Sequence, residues 1–462
     1  MDRRRRGCLV AGLFIWMVIG SCSSEAQFSA NYQTNIISGP VASNWPGNYI
    51  VGSNTFADVV LVQNGGRLIQ FTGDGILGYA SVGSNNSALV SGGGSFWTNS
   101  HNLFVGGSGG NNSLTISDGG VVFSRNGCVG SNATATGNSV VVAGSNSVWR
   151  VADSLGGAVS SNDLVLSVGH SGAGNSLVIS NGASVRGFAS VVGFNAGSSN
   201  NTVLVTGPGS VWSNLSMLVL VGAGPVPVGV TYVGRFGAGN ALEISHGGLT
   251  RDVAGFVGYG VSSSNNTVRV TDEGVWSNVT LTVGRQGSGN SLVVDGGTVV
   301  ATNLLIGADS VTCDNVVQLE SGTIIATNAA GTGAVDVQHG TFILHGGVLQ
   351  TDKLVMTNPC ASFVHTGGAA IIGNVVLDPN TFRITSITPQ DTDVLVTWMM
   401  GPGATNTLQA TAGDAAGGYS TNGFTDIFIV TNNTTVGTIT NYLDIGAATN
   451  VPARYYRARL AL

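Results

Sequence analysis

Trp97, Phe123, Trp149, Arg186, Trp212 and Trp276 recur at a near-constant distance after a repeated asparagine, and Arg251 falls close to the same column. Indole faces on a protein surface can stack on sugar rings, and an arginine between them adds cation–π attraction of about 0.5–1 kcal/mol. The residues before them (Val122, Val148, Val185, Val211) are apolar, so period-two alternation sets the bulky residue on the outer face. Trp97, Trp149, Arg186, Trp212 and Trp276 are therefore the candidate glycan-binding ladder. The competing reading is a column that only seals the surface of the fold.

Catalytic chemistry has thinner support. A polysaccharide hydrolase needs two carboxylates at a defined separation, and a lyase needs clustered acids for a cation together with an Arg or Lys base. Most acids sit in turns, such as Asp118, Asp272 and Asp295, and the one lysine, Lys353, has only Asp352 beside it. His339, His345 and His365 lie next to Gly or Thr and give no metal-ligand spacing. No HExxH or P-loop occurs, so no cofactor is implied.

The chain has 462 residues, 71 of them Gly, only 9% charged residues and a net charge of -6. That balance disfavours a nucleic-acid partner, which needs a basic face. With 43% hydrophobic residues, recurring periodically, the chain can still bury a core.

What must position the candidate ladder is a repeat. Asn86, Asn112, Asn138, Asn175, Asn201, Asn240, Asn266, Asn290 and Asn315 follow one another at 24 to 26 residues, apart from steps of 37 and 39. The long steps insert sequence around 151–164 and 222–232, both between a bulky-residue strand and a Val-Gly or Ile-Gly mark. These marks run from Val82-Gly83 to Ile306-Gly307. The second and fourth residues after the asparagine are apolar, as in Leu177 and Ile179, whereas the residue between them varies. Such alternation specifies half-buried strands, and a fixed period of this length specifies a solenoid. The expected architecture is all-β: a right-handed parallel β-helix of about twelve coils, with asparagines stacked in an amide ladder at roughly 4.8 Å per coil. Turn positions occupied by Asp118, Gly144, Asn181, Gly207, His246 and Asp272 suit positive φ. Cys313 and Cys360 lie about two coils apart, roughly 9–10 Å by that spacing, which predicts free thiols.

The units GNSLVISNGASV and NNTVLVTGPGSVW, with the Val-Gly marks, resemble the Gly/Asn-rich repeats of bacterial autotransporter passenger domains and related secreted β-helix proteins. The resemblance covers about residues 50 to 375 and implies the architecture, while such passengers include both adhesins and enzymes. The membrane β-barrel that ends an autotransporter has no counterpart in the roughly 80 residues that follow.

Residues 1–26 read as a signal peptide: Arg3 to Arg6, an apolar run, and Ser24-Glu25-Ala26 before Gln27. Ile19-Gly20-Ser21-Cys22 reads alternatively as a lipobox, with Cys22 the lipidated residue. No later segment is long and apolar enough to span a membrane. Residues 27–380 form the expected β-helix. Residues 381–462 form a C-terminal β-sandwich, whose run ITSITPQDTDVLVTW loosely resembles the opening strands of a fibronectin type III domain, with Trp398 as core tryptophan. The expected function is an exported, extracellular or outer-membrane-associated structural or adhesion protein that binds polysaccharide or another cell-surface component. The alternative is a β-helical polysaccharide lyase or hydrolase.

Overall fold

A computed structural model describes residues 28–40, 42–151, 165–215, 229–358, 360–377, 383–400, 405–433, 438–449 and 452–460. The leader with Cys22, and most of both inserted segments, lie outside these residues. The described chain is all-β, and no helix in it is long and apolar enough to cross a membrane.

Each coil holds three short parallel strands, stacked into three ladders over about eleven turns. The first ladder starts at Thr34–Ser38 and ends at Ala361–His365. The second and third, which begin at Ala42–Pro46 and Tyr49–Val51, merge where Val348–Met356 and Ala369–Leu377 run through both without a corner. The alternating residues of the first ladder enter the core as expected: Leu114, Ile116, Leu177, Ile179, Val203 and Val205 are at most 1% exposed.

The asparagines form one continuous buried ladder at the corner before the first strand. From Asn112 to Asn315 each Oδ1 accepts both the backbone N–H and the side-chain amide of the asparagine one coil earlier. Asn175, for instance, donates to Asn201 Oδ1 at 2.9 and 3.1 Å, and Asn201 donates to Asn240 Oδ1 at 3.0 Å twice. The Val-Gly mark has its cause here. A Cβ on Gly130 or Gly234 would lie 2.2 Å from the amide of Asn175 or Asn266, and both glycines hold φ near +75°, so only glycine fits. Val82-Gly83 is not part of this series. The functional mark of that coil is Leu77-Gly78, and Val82 is exposed. The six turn residues expected at positive φ all adopt it.

The tryptophan assignment requires a correction. Trp97, Trp149, Trp212 and Trp276 are 0–1% exposed and face inward. Trp149 stacks between Val122 and Val185, while Arg186 is paired with Arg150 on the outer face. The cause is turn length. Between first and second strands, coils with Asp118-Gly119-Gly120 or Asn181-Gly182-Ala183 use three residues. Coils with Gly92 to Ser95, Gly144 to Ser147 or Gly207 to Ser210 use four. One residue reverses every side chain that follows. Each four-residue turn ends on a buried serine that accepts the glycine N–H of the preceding turn: Ser95 from Gly65, Ser147 from Gly119 and Ser210 from Gly182, all at 3.0 Å. Trp276 reaches the same inward position from the three-residue turn Asp272-Glu273-Gly274.

Tryptophan on alternate coils is volume matching. In the coil before Trp97, Trp149 and Trp276 the third strand offers Gly75, Gly127 and Gly255. A Cβ on any of these would lie 3.0, 2.6 or 2.7 Å from the indole. Before Trp212 the register places Ser190 there. Large and small side chains thus interdigitate to fill the coil.

The cysteine expectation is also overturned. Cys313 and Cys360 form a disulfide with their Cα atoms 5.5 Å apart. Their strands are two coils apart, as the sequence indicated, but the intervening coil passes from Val337 to Gly340 through only Gln338 and His339. That short connection leaves the corner open, and the longer segments on either side reach across it.

Beyond Leu377, strands Ile384–Gln390, Asp393–Met400 and Thr438–Asp444 form one antiparallel sheet. Thr405–Gly413, Thr425–Thr431 and Ala453–Leu460 form another. Both contribute to a single core around Val396, Trp398 and Leu408, so Trp398 is the core tryptophan expected.

Candidate functional site

An aromatic and arginine column does exist on the surface, one ladder away from the expected place. On the coils whose third strands end at Val168, Val192, Val233, Val257 and Val283, a left-handed glycine follows the strand. On successive coils the residue after that glycine is His170, Phe194, Arg235, Tyr259 and Arg285. Backbone hydrogen bonds fix the stacking: Phe194 N–H donates to Gly169 O at 2.9 Å, Arg235 to Gly193 at 3.0 Å, Tyr259 to Gly234 at 2.9 Å and Arg285 to Gly258 at 2.8 Å. All five side chains are half-buried. Five coils span about 19 Å at the usual strand spacing.

The side chains form a continuous stack. His170 lies on Phe194 at 4.6 Å between centroids, 26° from parallel. The Arg235 guanidinium lies over the Phe194 ring, 4.5 Å from its centroid, and 5.8 Å from that of Tyr232. Tyr232 and Phe256, partners in register on the outward face of the third ladder, stack at 5.1 Å and 11°. Tyr259 meets both edge-on, at 5.0 and 5.1 Å. Arg285 covers Tyr259 at 4.6 Å and pairs with Asp309 at 3.2 Å. Burial and the neighbouring Arg235 lower the His170 pKa, so its ring is neutral at pH 7. Burial, reinforced by Tyr259, raises that of Tyr232, which keeps its hydroxyl as a donor.

At one end of the column a shallow depression opens between Phe104, His170 and Phe194, with Cys128 and Ser167 at its floor. Burial pushes the Cys128 thiol up to about 11, so it is protonated and unreactive at neutral pH. In sequence, residues 152–164 and 216–228, outside the described residues, precede Val165–Val168 and Val230–Val233, the strands that lead to His170 and Arg235.

The sequence-derived candidates are dispersed by comparison. The four tryptophans are in the core, and Arg186 is exposed on the outer face of the second ladder. Among the described residues no group of three His, Cys, Asp or Glu could hold a metal ion. The carboxyl most raised in pKa, Asp252 at about 6, is fully enclosed and accepts from Thr231, Asn214 and Trp276. Sequence reasoning missed this surface column although its signal was present: the residue immediately after the Val-Gly marks from Val168-Gly169 to Val283-Gly284.

Fold and surface define a parallel β-solenoid with an external aromatic–arginine column. Compared with known proteins, the chain matches no family model, no curated protein and no solved structure.

Proposed function

We propose that this is an exported, cell-surface or extracellular β-helix protein of the structural or adhesion type, whose third-ladder face binds polysaccharide. The observation that carries the proposal is the column from His170 to Arg285. It is pinned by backbone hydrogen bonds and presents half-buried aromatic and guanidinium groups on successive coils. A sugar ring places apolar C–H groups against aromatic faces and its hydroxyls against the polar rim. The leader-like residues 1–26, with Cys22 as the alternative anchor, support export, and the repeat's similarity to autotransporter passengers supports a place on the cell exterior. Binding rather than catalysis is favoured because the acid beside this column, Asp309, is already paired with Arg285.

The test is retardation of the full chain in gels cast with a panel of polysaccharides, beside Tyr259→Ala and Trp212→Ala. Retardation that Tyr259→Ala abolishes, with an unchanged melting temperature, supports the assignment. Retardation unaffected by Tyr259→Ala moves binding elsewhere, and none on any polymer removes the glycan reading. Trp212→Ala is expected to destabilise the fold rather than act on a surface contact.

A further inference from the structure

The column is more than an aromatic platform, because two of its five members are arginines. A neutral glycan needs only ring faces and hydrogen-bonding groups. A guanidinium held half-buried loses hydration, and an arginine presents a planar donor fork that matches a carboxylate or sulfate. Arg235 lies against Phe194, Tyr232 and Phe236. Its Nε is buried without an acceptor, and no carboxylate pairs with it among the described residues. Arg285 is held between Tyr259 and Asp309, with side-chain exposure of 37%. The two arginines are two coils apart, about 9.6 Å at strand spacing, close to the length of a disaccharide, with Tyr259 on the coil between them. The chain as a whole is acidic, at -6, and of the two arginines only Arg285 has a carboxylate partner among the described residues, so Arg235 stands against the average field.

Resting on the glycan reading above, we propose that the ligand is an acidic polysaccharide lying along the rod axis. Arg235 and Arg285 engage anionic groups on alternate sugars, and Tyr259 stacks on the ring between them. Carboxylate and sulfate share the chemistry that the arginine forks recognise.

The experiment measures the full chain, Arg235→Gln, Arg285→Gln, the double variant and Arg235→Lys. The polymers are polygalacturonate, a sulfated galactan, a neutral β-glucan and poly-dT, each at low and raised salt. Expected is binding to one or both acidic polymers that weakens about tenfold or more with each arginine removed and weakens with salt. Arg235→Lys, which keeps the charge but loses the fork, should recover only part of it. Polygalacturonate against the sulfated galactan tells carboxylate from sulfate. Equal binding to the neutral glucan, unchanged in the double variant, overturns the acidic ligand and leaves the glycan reading standing. No binding to any polysaccharide overturns both. Binding to poly-dT as tight as to the acidic glycans overturns the assignment in favour of a nucleic acid. Should Arg235→Gln lower the melting temperature, Arg285→Gln alone, at the more exposed end, decides.

Discussion

Trp212 buries its indole N–H without an acceptor, and Gly187 occupies the position from which that acceptor would come. The tryptophans of the other alternate coils are served from the corresponding position one coil earlier. Trp97 donates to Gln70 Oε1 at 2.9 Å, Trp149 to Ser124 Oγ at 3.1 Å and Trp276 to Asp252 Oδ2 at 2.8 Å. Gly187 is not at positive φ, and a Cβ there would meet nothing closer than 3.6 Å. Gly187→Ser should therefore stabilise the fold by about 1 kcal/mol, through the new acceptor and reduced freedom of the unfolded chain. Gly187→Ala supplies the second effect without the first. Chemical denaturation of both variants separates them; equal midpoints would mean the hydroxyl does not reach the indole.

Removing one rung of the asparagine ladder should be expensive. In Asn201→Ala the backbone N–H and side-chain amide of Asn175 both lose their acceptor. Two buried donors left unpaired cost about 1–3 kcal/mol each. The expected loss is about 3 kcal/mol or more, read as a lower urea midpoint. A loss below about 1 kcal/mol would show that water or rearrangement replaces the rung.

Asp252 makes stability depend on pH. Burial raises its folded pKa to about 6, above its ordinary 3.8. A raised carboxyl favours the folded state while protonated, so its contribution is complete below about pH 4. It is lost as pH rises through 6, by about 3 kcal/mol. Thermal melts from pH 4 to 7 should show this decline, and Asp252→Asn should flatten it. An identical pH profile in the variant would assign the decline to other groups.

The Cys313–Cys360 disulfide joins coils two apart across a 47-residue separation. Reduction should cost about 2–4 kcal/mol, concentrated in the last coils. Hydrogen exchange with and without reductant should show increased exchange in Asn315–Leu319 and Ala361–His365, with little change near Leu114. Uniform loosening along the rod would contradict a local clasp.

How much of this was legible follows from what repeats in sequence and what does not. Asn175 and Leu177 recur at one spacing and carry one role, so the coil, its core residues and the amide ladder could be read directly. Trp149 and Arg186 each stand eleven residues after their asparagines and yet face opposite ways, because Gly144 to Ser147 is one residue longer than Asn181 to Ala183. Counting from the asparagine cannot see that difference, although the serine ending each longer turn announces it. The disulfide escaped because coil spacing describes strands, whereas the cysteines sit in connecting segments whose reach depends on the two-residue link through His339. The surface column was hidden by the conspicuousness of tryptophan: His170, Phe194, Arg235, Tyr259 and Arg285 share a register but no residue type.

The amide ladder also has a direction. From Asn86 to Asn290 every rung donates toward the C-terminus and accepts from the N-terminal side, and at Asn315 the side-chain donor turns to Ser310 within its own coil. A chain emerging N-terminus first therefore always ends in a coil with two unanswered N–H groups, and the next asparagine is the group that quiets them. Assembly becomes a ratchet in which each coil is the template for its successor, and Ser310 is where the template stops asking for another.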